Sequence, residues 1–342
     1  MIRQFNLLRN IFISNFKRLA LPYKINLALT YKCNLRCKIC KIWRYPSQDE
    51  LSIENIEIFF RNLNNLSWID LTGGEVTTRE DIVEIIKVIM RNSKNVLIFH
   101  ISTNGQLPEK TLLLAKEILK FNLSSIISIS IDGPAILNDQ LRGVPGAYLK
   151  SIETFKKLKE LIRVGHYYLN CTISNYNVDY IEDLLVSLKR DIPNFIPSDI
   201  YFNIFHNSSH YYHNQDIDGF SKISFDSIKK YFSLSAKGNP IKVFLEKEYI
   251  KGLVKYCQGD KFPVSCQALN SSCFINPQGM VYPCGIYNRP LGKLKDYDFE
   301  LRKIWNSYNT LKIREEISQK KCPGCWTPCE AYPAILGSTL SF

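Results

Sequence analysis

INLALTYKCNLRCKIC, residues 25–40, joins a short apolar run to three cysteines in the spacing C-x3-C-x2-C. The run INLAL (25–29) has the length and composition of a buried strand, which predicts the first strand of a sheet. Cys33, Cys37 and Cys40 then lie on the loop after this strand. Sites in α/β sheets lie beyond the carboxyl ends of the strands, so this loop is where the sequence first predicts chemistry.

The alternation of strand and helix continues to about residue 238. Five more strand-like runs follow: WIDLT (68–72), VLIFHIS (96–102), IISISI (126–131), YYLNCTI (167–173) and IYFNIF (200–205). The segments between them have helical periodicity, and a capping box at Thr78 and Asp81 is predicted to begin one helix. Repeated strand–helix–strand units require a parallel sheet with right-handed crossovers. Six units predict an α/β fold with a partial (β/α)6 barrel, since a closed barrel has eight.

Changes in this pattern divide the chain into three predicted parts. Residues 1–23 form a basic amphipathic segment, residues 24–238 the partial barrel, and residues 239–342 a linker and a small Cys-rich α+β domain. A chain of 342 residues exceeds the ~250–300 residues at which single cores stop growing. Within the last part, residues 240–265 are predicted to be a mixed bridging segment, and FINPQGMVYPC (274–284) a hairpin.

Composition and charge restrict the classes of function. With 45% apolar and 22% charged residues the chain is typical of a globular protein, and it has no apolar run long enough to span a membrane. Lys17 and Arg18 interrupt the N-terminal apolar run, which disfavours a secretory signal; packing on the domain is favoured over contact with a membrane surface. The net charge of +12 suits an anionic partner, but nucleic acid is disfavoured because basic and aromatic residues are not regularly interleaved.

Eleven cysteines without an export signal predict metal ligation in a reducing cytoplasm rather than disulfides. Three thiolates on one loop can hold three irons of a [4Fe–4S] cluster and leave the fourth iron open to another ligand. Such an open position is what metal-centred chemistry requires. A zinc knuckle would need a fourth ligand, yet no His or Cys occurs in the twenty residues after Cys40, and the C-x2-C-x2-C spacing of ferredoxins is absent here.

The C-x3-C-x2-C loop after the first strand of a partial barrel resembles the signature of the radical S-adenosylmethionine (SAM) superfamily. One position departs from it, because an aromatic residue commonly precedes the third cysteine and Ile39 stands here. The resemblance implies that Cys33, Cys37 and Cys40 hold a catalytic [4Fe–4S] cluster whose open iron binds SAM. It also implies that one electron cleaves SAM to methionine and a 5′-deoxyadenosyl radical that abstracts a substrate hydrogen, with ferredoxin or flavodoxin as reductant.

Two later strand ends resemble further elements of the family. Gly73, Gly74 and Glu75 follow the second strand and resemble its GGE element. Glycines allow the backbone to approach a ligand closely, and a carboxylate can accept hydrogen bonds from the SAM ammonium group. Asn104 follows the third strand in a segment that resembles the family's TNG. The resemblance implies that all four residues contact SAM.

The ends of the fourth and fifth strands continue the resemblance. Ser130 and Asp132 lie two residues apart in S-I-D-G-P, similar to the family's S-x-D-G, and share a side of the strand. They are predicted to face the ribose hydroxyls or the ammonium group of SAM. Arg142 resembles an arginine that follows this motif in many peptide-modifying members and is predicted to pair with the SAM carboxylate. Asn170 and Thr172 are weaker candidates.

The C-terminal cysteines form the patterns C-x12-G-x4-C (266–284) and C-x2-C-x3-C (322–329), which resemble the SPASM or twitch extensions of radical SAM enzymes. The predicted ligands of one auxiliary [4Fe–4S] cluster are Cys266, Cys284, Cys322 and Cys325. Two-cluster extensions contain more cysteines, so one auxiliary cluster is predicted. Cys329 and Cys273 remain alternative ligands, and a zinc ribbon with four cysteines remains open.

The sequence therefore predicts a radical SAM enzyme, an oxidoreductase or maturase, that modifies a peptide or protein or, second, oxidises a small molecule. The auxiliary cluster would accept an electron from the substrate or shape its pocket. Two alternatives remain. One is an iron–sulfur electron-transfer or scaffold protein that does not cleave SAM, against which Gly74, Glu75 and Asp132 speak. The other is a zinc-containing nucleic-acid binder, which the net charge of +12 would suit.

Overall fold

A computed structural model of the chain describes residues 2–121, 123–161, 167–221, 223–234 and 240–339. Nine strands in these ranges form one sheet. The strands are β1 (Lys24–Ala28), β2 (Trp68–Thr72), β3 (Ile98–Thr103), β4 (Ser124–Ser130), β5 (Tyr167–Ile173), β6 (Ile200–Ile204), β7 (Ser272–Ile275), β8 (Met280–Tyr282) and β9 (Gly292–Lys293). Each of the six strands expected from the sequence is therefore present.

Helices connect and cover the strands. They are α1 (Ile2–Phe16), α2 (Ile53–Arg61), α3 (Ile82–Asn92), α4 (Pro108–Leu119), α5 (Ala135–Arg142), α6 (Ala147–Leu161), α7 (Ile181–Asp191), α8 (Phe225–Phe232), α9 (Pro240–Cys257), α10 (Leu301–Trp305), α11 (Tyr308–Ser318) and α12 (Pro328–Thr339). At least one helix lies between each pair of consecutive strands from β1 to β6, as parallel pairing requires.

The sheet has the strand order β6-β5-β4-β3-β2-β1-β7-β8-β9, and β1 to β7 are all parallel. The first six strands follow one another without a change of direction, and β6 and β9 remain at opposite edges of an open sheet. The predicted α/β partial barrel is confirmed. All carboxyl ends of β1 to β6 therefore meet at one edge of the molecule.

Side chains alternate between the two faces of these strands. On β2, Ile69 and Leu71 are fully buried in the core beneath the helices, whereas Asp70 and Thr72 line a cavity on the concave face. On β3, Phe99 and Ile101 are buried in the same core as Ile69 and Leu71. A period of two thus separates an apolar outer face from a polar inner face.

The C-terminal segment continues the barrel sheet. β7 pairs in parallel with β1, and β7 and β8 form the predicted hairpin, with a positive φ of 79° at Gly279. The predicted domain boundaries at residues 23/24 and 238/239 stay predictions. Within the bridging segment predicted over 240–265, residues 240–257 form α9, a helix that the sequence pattern did not predict, and it packs on Trp326 and α12.

The predicted capping box at Thr78 and Asp81 is also wrong. Arg79 pairs with both carboxylate oxygens of Asp81, at 2.8 and 2.7 Å, and no side chain caps α3. The Thr78 hydroxyl instead donates to the Glu75 carbonyl at 2.7 Å in a short 3-10 turn. Both partners of the expected box are therefore engaged elsewhere.

Helix α1 packs on the rest of the chain through Leu7 and Ile11, which share a small apolar cluster with Leu19 and Tyr23. This agrees with the packing expected for the N-terminal segment. Among the helices of the described ranges, none has both the length and the apolar character needed to cross a membrane.

Gly252 of α9 lies against the Trp326 ring, and a methyl group at this position would collide with it. We expect Gly252→Ala to lower the free energy of unfolding by about 1–3 kcal/mol, because overpacking a tight contact forces side chains and backbone to shift. Lys255→Ala on the exposed side of the same helix should change it by less than about 0.5 kcal/mol. Urea unfolding of both variants measures the difference, and equal stabilities would contradict the contact.

Candidate active site

A large cavity lies at the carboxyl ends of β1 to β6 and opens to solvent. Cys33, Cys37 and Cys40 line it together. The other predicted site residues on its wall are Gly73, Gly74, Glu75, Asn104, Ser130, Arg142, Asn170 and Thr172. Residues from five strand ends, far apart in the sequence, thus meet in one place.

The segment from Thr30 to Lys41, which contains the three cysteines (the cysteine loop), is held on one side by the turn after β2. The Gly74 amide donates to the Thr30 carbonyl at 2.6 Å, and the Glu75 amide donates to the Lys32 carbonyl at 2.9 Å. A Cβ atom at Gly73 or Gly74 would collide with this backbone. The glycines therefore allow close approach of the cysteine loop, a neighbour that the sequence analysis did not consider.

The end of α5 holds the other side of the cysteine loop. Amides of Arg36 and Lys38 donate to the carbonyls of Arg142 and Leu141, at 2.9 and 2.8 Å. Gly143 follows with a φ of 71°, and a Cβ atom there would collide with the Arg36 backbone. A residue other than glycine would suffer both the strained conformation and the collision.

A third contact comes from a segment that the sequence analysis missed, residues 206–214 after β6. The Lys41 amide donates to the Tyr212 carbonyl at 2.8 Å, and the Asn214 side chain donates to the Ile39 carbonyl at 2.9 Å. Tyr211 and Tyr212 line the cavity. The rule that sites follow strand ends, applied to β6 and its His- and Tyr-rich continuation, would have found them.

Glu75 is buried and organises the turn after β3. Its carboxylate accepts hydrogen bonds from the Thr77 and Thr103 hydroxyls, at 2.6 and 2.7 Å, and from the Asn104 amide at 2.6 Å. Burial raises the pKa of Glu75, and these hydrogen bonds oppose the shift. The Asn104 side chain donates to Asn34 at 2.7 Å, so the carboxylate also positions a contact to the cysteine loop.

Arg142 and Asp132 form a buried ion pair, with Nη2 and Oδ2 2.7 Å apart. Burial alone would lower the pKa of Arg142, but Asp132 and Cys37 raise it above its ordinary value. Asp132 is predicted to face SAM, and this stays a prediction. Its buried carboxylate pairs with Arg142 and accepts a hydrogen bond from the Thr172 amide at 3.1 Å, and it is not among the described residues that line the cavity.

The donor set around the cysteine loop suits an iron–sulfur cluster. Burial raises the pKa of the Cys33 thiol to about 11 and that of Cys40 to about 12, so a metal must displace their protons. Arg142 Nη1 lies 3.9 Å from Cys37 Sγ, and its buried Nε has no hydrogen-bond partner in the described structure. An orphaned guanidinium donor beside three thiols is suited to an anionic group in the cavity.

A row of polar side chains that the sequence analysis did not single out forms the deeper wall of the cavity. Asn26, Asp70 and His100 lie opposite one another on β1, β2 and β3. His100 contacts Asp70 at 3.4 Å and Ser128 at 2.9 Å. The buried Oδ1 atom of Asn26 accepts no hydrogen bond from the described residues. This wall offers an acceptor to an N–H or O–H group.

A second, smaller cavity lies in the C-terminal part of the chain. Four cysteines line it, namely Cys266, Cys284, Cys322 and Cys325. The two alternative ligands lie elsewhere: Cys273 is buried in β7, and Cys329 lines the large cavity. Burial raises the pKa of the Cys325 thiol to about 12, and that of Cys322 is raised too, so ligation here again requires loss of protons.

The segment 322–329 joins the two cavities. Cys322 and Cys325 face the small cavity, and the chain reaches the wall of the large cavity at Thr327, Pro328 and Cys329. The Cys329 side chain is exposed to the large cavity. A cluster held by Cys322 and Cys325 would therefore fix a segment that also lines the large cavity.

Within the described ranges, no three His, Cys, Asp or Glu side chains are close enough to hold a single metal ion. A mononuclear zinc site draws its thiolates to about 2.3 Å from one atom. A four-iron cluster spreads its thiolate ligands around a larger body. Cysteines that share one cavity can therefore suit a four-iron cluster without lying close enough together to hold a single ion.

Comparison with known families agrees with this geometry. The radical SAM superfamily matches residues 27–188, and SPASM, an iron–sulfur cluster-binding domain, matches residues 266–329. The chain belongs to the radical SAM superfamily. It is a radical SAM enzyme with a C-terminal SPASM domain, and it uses SAM, a catalytic [4Fe–4S] cluster and a reductant. These matches describe neither an iron–sulfur scaffold that does not cleave SAM nor a zinc-containing nucleic-acid binder.

Individual relatives differ in their substrates. The AdoMet-dependent heme synthase of Methanosarcina barkeri is 23% identical over 89% of this chain and 91% of its own length. The sporulation killing factor maturation protein SkfB of Bacillus subtilis is 33% identical, but over 48% of this chain and only 39% of its own. SuiB of Streptococcus suis bound to SAM has the same fold, with a TM-score of 0.62 at 16% identity, over 88% of this chain and 70% of SuiB.

Gly143 and Gly146 offer a matched test of the contact between α5 and the cysteine loop. Both have positive φ, but only Gly143 would bring a Cβ atom against the loop; at Gly146 nothing lies within 4 Å. After anaerobic reconstitution, we expect Gly143→Ala to fall from about eight irons per chain to about four, while Gly146→Ala keeps about eight. Equal iron content in the two variants would show that this contact does not shape the cluster site.

Proposed function

We propose that Cys33, Cys37 and Cys40 are the ligands of the catalytic cluster and leave one iron to SAM. The proposal is supported by the shared cavity and by the backbone hydrogen bonds that hold the cysteine loop to Gly74, Arg142 and neighbouring residues. When bound, the cluster supplies the electron that cleaves SAM to methionine and the 5′-deoxyadenosyl radical. The chain fixes the loop so that the three thiolates reach the same cluster.

Residues at the other strand ends would bind SAM. Gly73, Gly74, Glu75, Asn104 and Ser130 are the proposed direct contacts, supported by their place on the cavity wall. The buried Glu75 carboxylate is suited to an ammonium group because carboxylates accept several hydrogen bonds.

Arg142 would hold an anionic group, the SAM carboxylate, through its unpaired Nε–H. Asp132 is proposed as a positioning residue that acts through Arg142. Its 2.7 Å ion pair with Arg142 and its burial support this role. The pair keeps the guanidinium plane fixed beside Cys37, so the donor is oriented before SAM arrives.

We propose Cys266, Cys284, Cys322 and Cys325 as the four ligands of the auxiliary cluster. Their common cavity supports this set over the alternatives Cys273 and Cys329. With four protein ligands the auxiliary cluster would have no open iron. Its role would be to shape the substrate cavity through the segment that ends at Cys329, or to accept an electron from the substrate.

The proposed substrate is a peptide or protein segment. Among the wall residues of the described structure, Arg142 is the only Lys or Arg, and it is already paired with Asp132. Such a wall is poorly suited to a substrate with several carboxylates. Its free acceptor at Asn26 and its hydroxyl and amide groups are suited to backbone N–H groups. The similarity to SkfB, which is named as a maturation protein, also supports a peptide or protein substrate.

Oxidation of a small molecule is the second candidate, favoured by the full-length similarity to a heme synthase. For either substrate, ferredoxin or flavodoxin is the proposed electron donor, and a carrier with negative charge would be attracted by the net charge of +12. A cytoplasmic location belongs to the same proposal. Cysteines that ligate clusters rather than forming disulfides are typical of a reducing compartment.

Separate cysteine variants test the two cluster roles. With dithionite and SAM, Cys37→Ala should form 5′-deoxyadenosine more than about 100-fold more slowly, because loss of a ligand exceeds the 10–100-fold cost of changes outside the ligand shell. Cys325→Ala should retain measurable cleavage, since its thiol lies in the other cavity. Cys257→Ala, outside both cavities, is the control. Equal loss in Cys37→Ala and Cys325→Ala would contradict separate roles.

The substrate class can be tested with the peptides encoded beside the gene. Incubated with reconstituted protein, SAM and dithionite, the substrate peptide should change in mass, and this change should be absent with Cys37→Ala. Asn26→Leu should weaken the reaction with the peptide while sparing uncoupled SAM cleavage, because it removes the free acceptor on the deeper wall. Loss of both activities would assign Asn26 to SAM, and no mass change with any peptide would favour the small molecule.

A further inference from the structure

Helix α1 has two apolar faces, and only one of them is packed. Leu7 and Ile11 are 8% and 2% exposed in the apolar cluster beneath the helix. Five large apolar residues face away from the protein. With their exposed fractions they are Ile2 (75%), Phe5 (67%), Leu8 (59%), Phe12 (53%) and Phe16 (65%), here named the outer face of α1.

The outer face is continuous. At 3.6 residues per turn, its five side chains fall within an arc of about 120° on the side opposite Leu7 and Ile11. Phe12 and Phe16 pack on one another, with ring centroids 4.9 Å apart. Single exposed apolar residues are normal on protein surfaces, but a contiguous apolar stripe marks a surface that binds something.

The residues around the outer face are basic. Arg9 lies within the stripe, and Lys17 and Arg18 follow its end, whereas the first acidic residue of the chain is Asp49. No carboxylate of the described residues forms an ion pair with Arg9, Lys17 or Arg18. The positive charge of this surface is therefore not compensated by carboxylates.

The positive charge of Arg18 affects the pKa of Arg314, which lies next to the end of α1. Burial and, to a smaller extent, the nearby charge of Arg18 together lower the pKa of Arg314 to about 10. A neighbouring carboxylate would have raised it. The region around Arg18 and Arg314 therefore has a surplus of positive charge.

We propose that the outer face of α1 binds the surface of an anionic membrane. Helices that lie in a membrane interface combine Phe and Leu on one face with Lys and Arg, and their binding adds apolar burial to attraction by anionic lipids. The aromatic stripe would enter the headgroup region, and Arg9, Lys17 and Arg18 would meet the phosphates. This inference is independent of the proposed cluster ligands and of the substrate.

A second copy of the chain is less suited to cover this face. A two-fold interface would place the same stripe against itself and bring the Arg9 residues of both copies close together. The helix has no acidic residue to pair with them. Like charges in a desolvated apolar interface oppose association, whereas lipid phosphates compensate each of them.

The position of α1 keeps the active-site cavity accessible in this arrangement. Its polar contacts are to loops that precede strands: Asn10 donates to the Asn65 carbonyl at 3.4 Å before β2, and Asn270, before β7, donates to the Ser14 carbonyl at 2.5 Å. Helix α1 therefore lies at the amino ends of the parallel strands. The cavity opens at their carboxyl ends, so a membrane-bound protein could still receive a substrate and a reductant.

Vesicle sedimentation of the reconstituted full-length protein tests the proposal. We expect binding to vesicles of phosphatidylcholine with 30% phosphatidylglycerol, and binding at least about tenfold weaker to phosphatidylcholine alone. Phe5→Ser with Phe12→Ser should weaken binding to the anionic vesicles by at least about tenfold. Arg9→Glu with Lys17→Glu should weaken it by about tenfold or more, as should 0.5 M salt.

The matched control is Leu113→Ser with Leu149→Ser, which removes two exposed apolar side chains from α4 and α6 and should leave vesicle binding unchanged. Thermal unfolding checks that all variants fold. The proposal is overturned if wild-type protein does not sediment with anionic vesicles, or if the Phe5/Phe12 variant binds as wild type does. Concentration-dependent dimerisation that those two substitutions abolish, without vesicle binding, would assign the outer face to a second copy instead.

Discussion

The close contact between the cysteine loop and its three neighbours is the constraint on which the rest of the site depends. Backbone hydrogen bonds from the turn at Gly74, from the end of α5 and from the segment after β6 reach this loop from different sides. Each of these segments also contributes side chains to the cavity wall. The segments that hold the cysteine loop therefore also align the residues around it. Glycine is needed at positions 74 and 143 because a Cβ atom at either position would collide with the backbone of the cysteine loop.

The second organising feature is the separation of the two strand faces. Apolar residues such as Ile69 and Phe99 pack beneath the helices, while Asp70 and His100 face the cavity. A polar inner wall of this kind contributes little to stability, so the apolar outer core must hold the sheet. The C-terminal SPASM domain adds β7 to the same sheet and reaches the wall at Cys329, which links the small cavity physically to the large one.

Much of the architecture could be predicted because it depends on local patterns. The run IYFNIF and the five before it are short, apolar and separated by helical periodicity, so strands and their parallel order followed directly. One local expectation failed because a competing partner is available: Asp81 pairs with Arg79 instead of capping α3. The helix over 240–257, whose buried face includes Gly252 and Leu253, was not predicted because basic residues obscure its pattern.

The sequence by itself determined the class of chemistry, because the spacing of Cys33, Cys37 and Cys40 after a strand is a property of neighbouring residues. It also limited the auxiliary ligands to six cysteines. Only the tertiary structure showed that Cys266, Cys284, Cys322 and Cys325 line one cavity and that the buried Asp132 pairs with Arg142. The reason is physical: which way a side chain faces, and which distant side chain it meets, depends on the packing of strands and helices that lie far apart along the chain.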